Sequence, residues 1–309
     1  MARFDACRGK LARTPVLRAL LIGLCLATMI GYAAAQDEGD TPPPDASGDS
    51  IAAPTATPVP TSPAITRQMV HFMSGPNLLE GYLWKPPGDG PFPVIIWNHG
   101  SEKNPATGVS QAQVFGPQGW AVFAPIRRGH GGSQGTYLED AVLASPPADR
   151  SRMQVQLQDA EVSDQAAALD YLRSTVPWAD MSHLADTGCS YGGIQTVLGV
   201  EANLGFKAGI ALSPGAESWG NRLLQQRLTQ AADNITVPMF FIHPQNDYTI
   251  QSGMTLAAEF QKLNKDYRLE IFPSVGTTPQ EGHCFNGLAP NGARVWGPDA
   301  IQFLTPYLK

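Results

Sequence analysis

The chain has 309 residues, 43% of them hydrophobic and 16% charged, and a formal net charge of −6. This is length and apolar content enough for one large domain with a well-buried core. The acidic balance argues against a nucleic-acid partner and against attraction to an anionic membrane surface.

The first 35 residues have the pattern of an export signal. Arg3, Arg8, Lys10, Arg13 and Arg18 form a basic start, residues 19–31 are an apolar run, and Ala33, Ala34 and Ala35 before Gln36 make a small-residue cleavage site. The alternative is an uncleaved anchor helix, for which the apolar run falls short of the roughly 20 residues a span needs. Residues 1–35 hold five of the 21 basic residues and one of the 27 acidic ones, so the remainder carries a net charge of −10. Residues 36–64 are Pro, Thr, Ala, Ser and Asp with almost no large apolar side chain, too little to offset the entropy of ordering, so a disordered spacer is expected. The folded domain is then 65–309, exported to the periplasm or secreted, with no later stretch apolar enough to span a bilayer. Cys7 and Cys25 leave with the signal, and Cys189 and Cys284 remain. Two cysteines in an exported chain favour a disulfide; the alternative is a pair of buried free thiols.

Within the domain, the alternating runs 66–72 and 78–84 flank Gly75, Pro76 and Asn77 and predict a hairpin. Residues 94–97 and 121–124 are continuous apolar runs, as in buried strands of a parallel sheet. From 154 to 172 apolar residues recur at helical spacing, a short strand enters Gly188, and a helix follows over about 192–201. Strands at 208–212, 238–242 and 269–272 then alternate with helices at 223–232, 252–263 and 293–308. The order implies an α/β fold, a mostly parallel sheet with helices on both faces and catalytic residues on loops at the carboxyl ends of the strands.

Two stretches fit Gly-x-Ser-x-Gly, one around Ser190 and one around Ser133. Ser190 lies between a predicted strand and a predicted helix, where a sharp turn lifts the hydroxyl above the sheet, whereas no early helix follows Ser133. Ser190 is the candidate nucleophile. Its hydroxyl needs a base, and the base an orienting acid, in the chain order Ser, acid, His. Downstream stand only His243 and His283. His243 comes too early for that order, and His283, in a glycine-flanked loop, is the candidate base. Asp247, after the penultimate strand, is the candidate acid. Glu281 is its rival, although only two residues from His283, and capping the helix that begins near Ile250 is the other role open to Asp247. The backbone N–H groups of Tyr191 and Ser101 are the candidate oxyanion donors, and His99 reads as a structural hydrogen-bonder. Arg127 and Arg128 either receive a substrate carboxylate or tether a loop. The six histidines show no metal-ligand spacing with carboxylates or thiols, and no cofactor is implied.

The stretches VIIWNHGS, RRGHGGSQG, GCSYGG, the loop around Asp247 and GHCF stand in this order, and together they resemble the α/β-hydrolase superfamily. Within it the domain looks like the dienelactone-hydrolase and prolyl-oligopeptidase-like branch, except that dienelactone hydrolase has a cysteine nucleophile where this chain has Ser190. Cys189-Ser190, Asp247 and His283-Cys284 also resemble the CS-D-HC arrangement of tannases and fungal feruloyl esterases. That resemblance covers the triad spacing alone and implies a disulfide between Cys189 and Cys284. An exported serine hydrolase acting on a small-molecule carboxylic ester is the activity these likenesses imply. A prolyl-oligopeptidase-type peptidase would share every catalytic residue and usually carries a propeller domain that these residues do not supply. A non-catalytic binding module on the same fold is the third reading.

Overall fold

The computed structural model describes residues 64–309. The predicted signal at 1–35, and the spacer except for its last residue, lie outside the described residues. Strands β1 (Thr66–Ser74) and β2 (Asn77–Lys85) form the expected antiparallel hairpin. Next come β3 (Phe92–Asn98), helix α1 (Val109–Phe115), β4 (Ala121–Pro125), α2 (Leu138–Ala144) and the long α3 (Arg150–Thr175). They are followed by β5 (Ala179–Cys189), α4 (Tyr191–Glu201), β6 (Ala208–Leu212), α5 (Arg222–Asn234), β7 (Met239–Pro244) and α6 (Gln251–Lys262). The last elements are β8 (Tyr267–Phe272), α7 (Pro279–Gly282) and α8 (Ala293–Leu304).

The eight strands form one sheet in the order β1-β2-β4-β3-β5-β6-β7-β8, antiparallel only where β2 meets β1 and β4. Successive side chains alternate between two cores, as a period of two dictates. Val94 and Ile96 face the layer of α3, α4, α5 and α6, and Ile95 and Trp97 face α1 and α8. Both faces are covered, which is why these strands read as unbroken apolar runs. The chain order reverses about β3, with β4 on one side and β5 on the other. The carboxyl ends of β3 and β5 therefore open the crevice where such folds place their chemistry.

Three short helices, α1, α2 and α7, are absent from the sequence-based outline. None exceeds seven residues, too few turns for a 3.6-residue period to repeat. The long helix α3 differs in another way. Ala160, which fits the apolar pattern, is exposed, whereas Gln158, Glu161, Asp164 and Gln165 are buried. Asp164 meets Ser74 and Arg128, and Glu161 meets Tyr191, on other elements, whereas the Gln158 side chain has no hydrogen-bond partner. Gln165 Nε2 donates to Asp186 Oδ2 (2.7 Å) and Asn98 Nδ2 to Asp186 Oδ1 (2.7 Å), tying α3 to β5 and β3 just below the crevice.

Burial raises the pKa of Asp186 well above the usual carboxylate range, although Gln165 and Asn98 donate to it. A raised folded-state value means that its contribution to stability is complete below about pH 4, where the unfolded carboxyl titrates, and is lost as pH rises through the folded value. Asp186→Asn removes that titration. Urea unfolding across pH 4 to 8 is expected to show the variant gaining on the wild type as pH rises, and a constant difference would contradict this.

Candidate active site

Ser190 occupies the turn between β5 and α4 with φ 59° and ψ −119°, left-handed in φ for a residue that is not glycine. The turn is sharp because the neighbouring backbones nearly touch. A Cβ on Gly192 would sit 1.9 Å from the Asn98 carbonyl oxygen, and one on Gly188 would sit 2.4 Å from that of Gly192. The amide of Ser190 donates to Leu212 O (3.0 Å), and its carbonyl accepts from Ile194 and Gly215 (3.2 and 3.1 Å). Ser133, centre of the other Gly-x-Ser-x-Gly match, is buried; its hydroxyl donates to Ile126 O and accepts from the Glu80 amide.

Asp247 and His283 come together although 36 residues apart: His283 Nδ1 donates to Asp247 Oδ1 at 2.7 Å. Its Nε2 is buried and has no hydrogen-bond partner, Ser190 Oγ included. Such bonds are often long in unliganded enzymes. The segment carrying His283 is anchored to the loop carrying Asp247. Asn246 Nδ2 donates to Val275 O and Thr278 O (2.8 and 2.9 Å), and Asn246 Oδ1 accepts from the Val275 amide. Glu281 is engaged elsewhere, in a capping box with Thr278 at the start of α7. Asp247 does not cap α6, which lacks a side-chain cap.

The other oxygen of Asp247 has a partner that sequence reasoning set aside. His243 Nδ1 donates to Asp247 Oδ2 at 2.8 Å, while its Nε2 accepts from the Gly253 amide at 3.1 Å, which assigns the proton to Nδ1. A Cβ on Gly253 would stand 2.5 Å from that Nε2. His243 fails as a base by chain order, but it lies four residues before Asp247 at the end of β7, and that spacing was the available signal. Burial alone would raise the pKa of Asp247; the hydrogen bonds from His243 and His283 outweigh it and hold the carboxyl well below its usual range.

Cys189 and Cys284 are joined by a disulfide with their Cα atoms 5.9 Å apart, bridging the residue before Ser190 and the residue after His283. Cys284 and Phe285 both have positive φ, so the chain reverses there and drives the Phe285 ring into the core. Beside Ser190 lies a cavity of about 320 Å³, floored by Ser190 and Tyr191, with Leu138, Val142 and Leu143 of the α2 segment on one side and Ser101, Gln154, Glu217 and Ser218 around the rest. Glu139 completes its lining, which holds no Lys or Arg. A smaller cavity of about 160 Å³, lined by both cysteines, Trp97 and Trp296, lacks Ser190, and His283 is in the lining of neither cavity.

Arg127 and Arg128 tether loops rather than face this cavity. Arg127 is buried, with Nε 3.4 Å from Glu161 Oε2. Burial lowers the pKa of Arg127 and raises that of Glu161, each opposed by the other's charge. Arg128 Nε donates to Asp164 Oδ2 (2.9 Å) and Nη2 to Ser163 Oγ (2.6 Å). His99 bonds within the structure: Nε2 accepts from the Arg127 amide and Nδ1 donates to Gly100 O. Among the described residues no cluster of three or more His, Cys, Asp or Glu is placed to hold a metal ion, and no helix is long and apolar enough to cross a membrane.

The cross-link closes a separation of 95 residues. Replacing both cysteines by serine is expected to lower the unfolding free energy by about 2–4 kcal/mol, read from urea titration. An unmoved midpoint would mean that the bridge adds nothing to stability.

The prolyl oligopeptidase family model matches residues 150–219, from α3 through the Ser190 turn. No curated protein matches the chain. Among solved structures it is similar to an acylaminoacyl peptidase of Pyrococcus horikoshii, at 20% identity and a TM-score of 0.62 over 79% of this chain and 42% of that one. The chain thus spans less than half the length of that relative. It is also similar to the Pyrococcus furiosus esterase Pf2001 (16% identity, TM-score 0.57, 79% of this chain and 92% of that one). A third is Est1E of Butyrivibrio proteoclasticus, solved with ferulic acid bound (17% identity, TM-score 0.57, 77% and 98%). Sheet order, turn geometry and these likenesses agree: the domain has the α/β-hydrolase fold.

Proposed function

We propose that this protein is an exported serine hydrolase that cleaves carboxylic esters through an acyl-enzyme on Ser190. The observation that carries the reading is the pairing of a turn-strained serine with an Asp247–His283 hydrogen bond whose imidazole keeps Nε2 free. In the proposed cycle His283 Nε2 takes the proton of Ser190 Oγ as that oxygen attacks the ester carbonyl, and Asp247 keeps the ring oriented and stabilises the imidazolium. The N–H groups of Tyr191 and Ser101 receive the oxyanion. His283 returns the proton to the departing alcohol, and water repeats the sequence to release the acid. The Cys189–Cys284 bridge supports the likeness to the CS-D-HC esterases, and a cavity near the small end of the usual range supports a compact acyl group. Export is supported by the pattern of residues 1–35 and by the bridge.

A peptidase is the second reading, favoured by the family match over residues 150–219. The two separate by substrate. Nitrophenyl esters of short acids are expected to turn over, with aminoacyl nitroanilides at least about 100-fold slower; the reverse order would replace the ester reading. Intact mass after a fluorophosphonate probe is expected to show one adduct, on Ser190, on a chain beginning at Gln36. Ser190→Ala is expected to abolish adduct and turnover together, and an adduct surviving in that variant would remove Ser190 from its role.

The cavity lining pairs Glu139 and Glu217 with no cation, so an anionic acyl group meets like charge. A succinyl nitrophenyl ester is expected to have kcat/KM lower than the butyryl ester by about 10-fold at low salt, the gap narrowing as salt screens it. Equal values would mean that these carboxylates do not face the acyl group.

A further inference from the structure

The loop that carries Ser101 is held from behind along its length. The carbonyls of His99 and Gly100 accept from Arg127 Nη1 and Nη2 (2.7 and 2.6 Å), that of Ser101 from the Tyr137 hydroxyl (2.7 Å), and that of Glu102 from His130 Nδ1 (2.8 Å). The Lys103 carbonyl accepts from the Gly131 amide (2.8 Å). Five successive carbonyls thus meet the segment that follows β4. In a trans peptide the C=O and the next N–H point in opposite directions. The Gly100 carbonyl aimed at Arg127 therefore turns the Ser101 N–H away from it, and Ser101 lines the cavity beside Ser190. A charged donor on that carbonyl also makes the amide on its far side a stronger donor.

The same guanidinium reaches the other candidate donor. Its Cζ lies 4.3 Å from the centre of the Tyr191 ring, and the Tyr191 hydroxyl donates at 2.5 Å to Glu161 Oε2, the oxygen that neutralises Arg127. We propose that Arg127, with Glu161 as its counter-ion, is the positioning residue of the oxyanion hole, aiming and polarising the Ser101 N–H through the Gly100 carbonyl and clamping the residue that follows the nucleophile. This rests on the ester-hydrolase reading above. Lysine keeps the charge at this place but lacks the planar fork that spans two carbonyls, an aromatic face and a carboxylate at once.

The test compares the full-length wild type with Arg127→Lys and Tyr191→Phe, using nitrophenyl butyrate as substrate and a trifluoromethyl ketone as tetrahedral-adduct mimic. Rates are expressed per site titrated by fluorophosphonate, so that loss of folded protein does not count as loss of rate. Arg127→Lys is expected to lower kcat by about 10- to 100-fold, somewhat less than deleting a donor outright, with KM within about 2-fold. The affinity for the ketone should fall in parallel. Tyr191→Phe should show a smaller loss of the same kind. Wild-type kcat and ketone affinity in Arg127→Lys, or a loss confined to KM, overturns the proposal; should that variant not fold, an unchanged kcat in Tyr191→Phe overturns it instead. Hydrolysis that Ser190→Ala abolishes but Arg127→Lys leaves intact sinks this inference alone, whereas a wild type with no Ser190-dependent turnover sinks both readings.

Discussion

At Ser190 the chain holds a backbone conformation, φ 59° and ψ −119°, that costs on the order of 1–3 kcal/mol and persists only where the surroundings over-determine it. The surroundings here do so from every side. The amide and carbonyl of Ser190 are both hydrogen-bonded, Cys189 is covalently tied to Cys284, and the Asp186 cluster joins β5 to β3 and α3 four residues earlier. Helix α4 is buried over all of residues 191–200. Relaxing the turn would pull that helix out of the core, so the strain is the smaller cost.

Around this turn stand two buried charge centres with opposite tasks. Asp247 is an anion shared between two histidines, and its second partner, His243, is itself fixed by the Gly253 amide. The acid can therefore neither swing nor take up a proton easily, and His283 presents a single free nitrogen. Arg127 and Glu161 form the second centre, an ion pair with no exposed face. Pairs of this kind are weak contributors to net stability, since desolvation costs several kcal/mol for each ion. What this one contributes is geometry: it reaches the loop after β3 and the residue after Ser190 at once.

The cavity beside Ser190 follows from the same arrangement. Both arginines after β4 are engaged by α3, so neither guanidinium lines the cavity, and the carboxylates of Glu139 and Glu217 set the sign of the lining. The short helix α2, placed between β4 and α3, supplies the apolar wall.

Much of this was legible in the sequence, and for a physical reason. Strands of a sheet covered on both faces must be apolar at every position, so residues 94–97, 121–124 and 238–242 announced themselves. Both Gly-x-Ser-x-Gly matches have the glycines, but only Ser190 stands between a strand and a helix, so it stood out over Ser133. The chemical types of Asp247 and His283 and their order along the chain were readable too, as were two cysteines with each other as the available partner. Their distances were not. The four-residue spacing of His243 and Asp247 was the one local hint of their contact, but nothing local says that Arg127 faces inward to Glu161, because that contact joins elements that only the folded sheet makes neighbours. The inward face of α3 ran against the expected pattern for the same reason: buried Glu161, Asp164 and Gln165 find their partners on other elements, and those meetings are a property of the tertiary structure. Local periodicity determined the elements and the sharp turn; long-range pairing of buried polar groups decided the site.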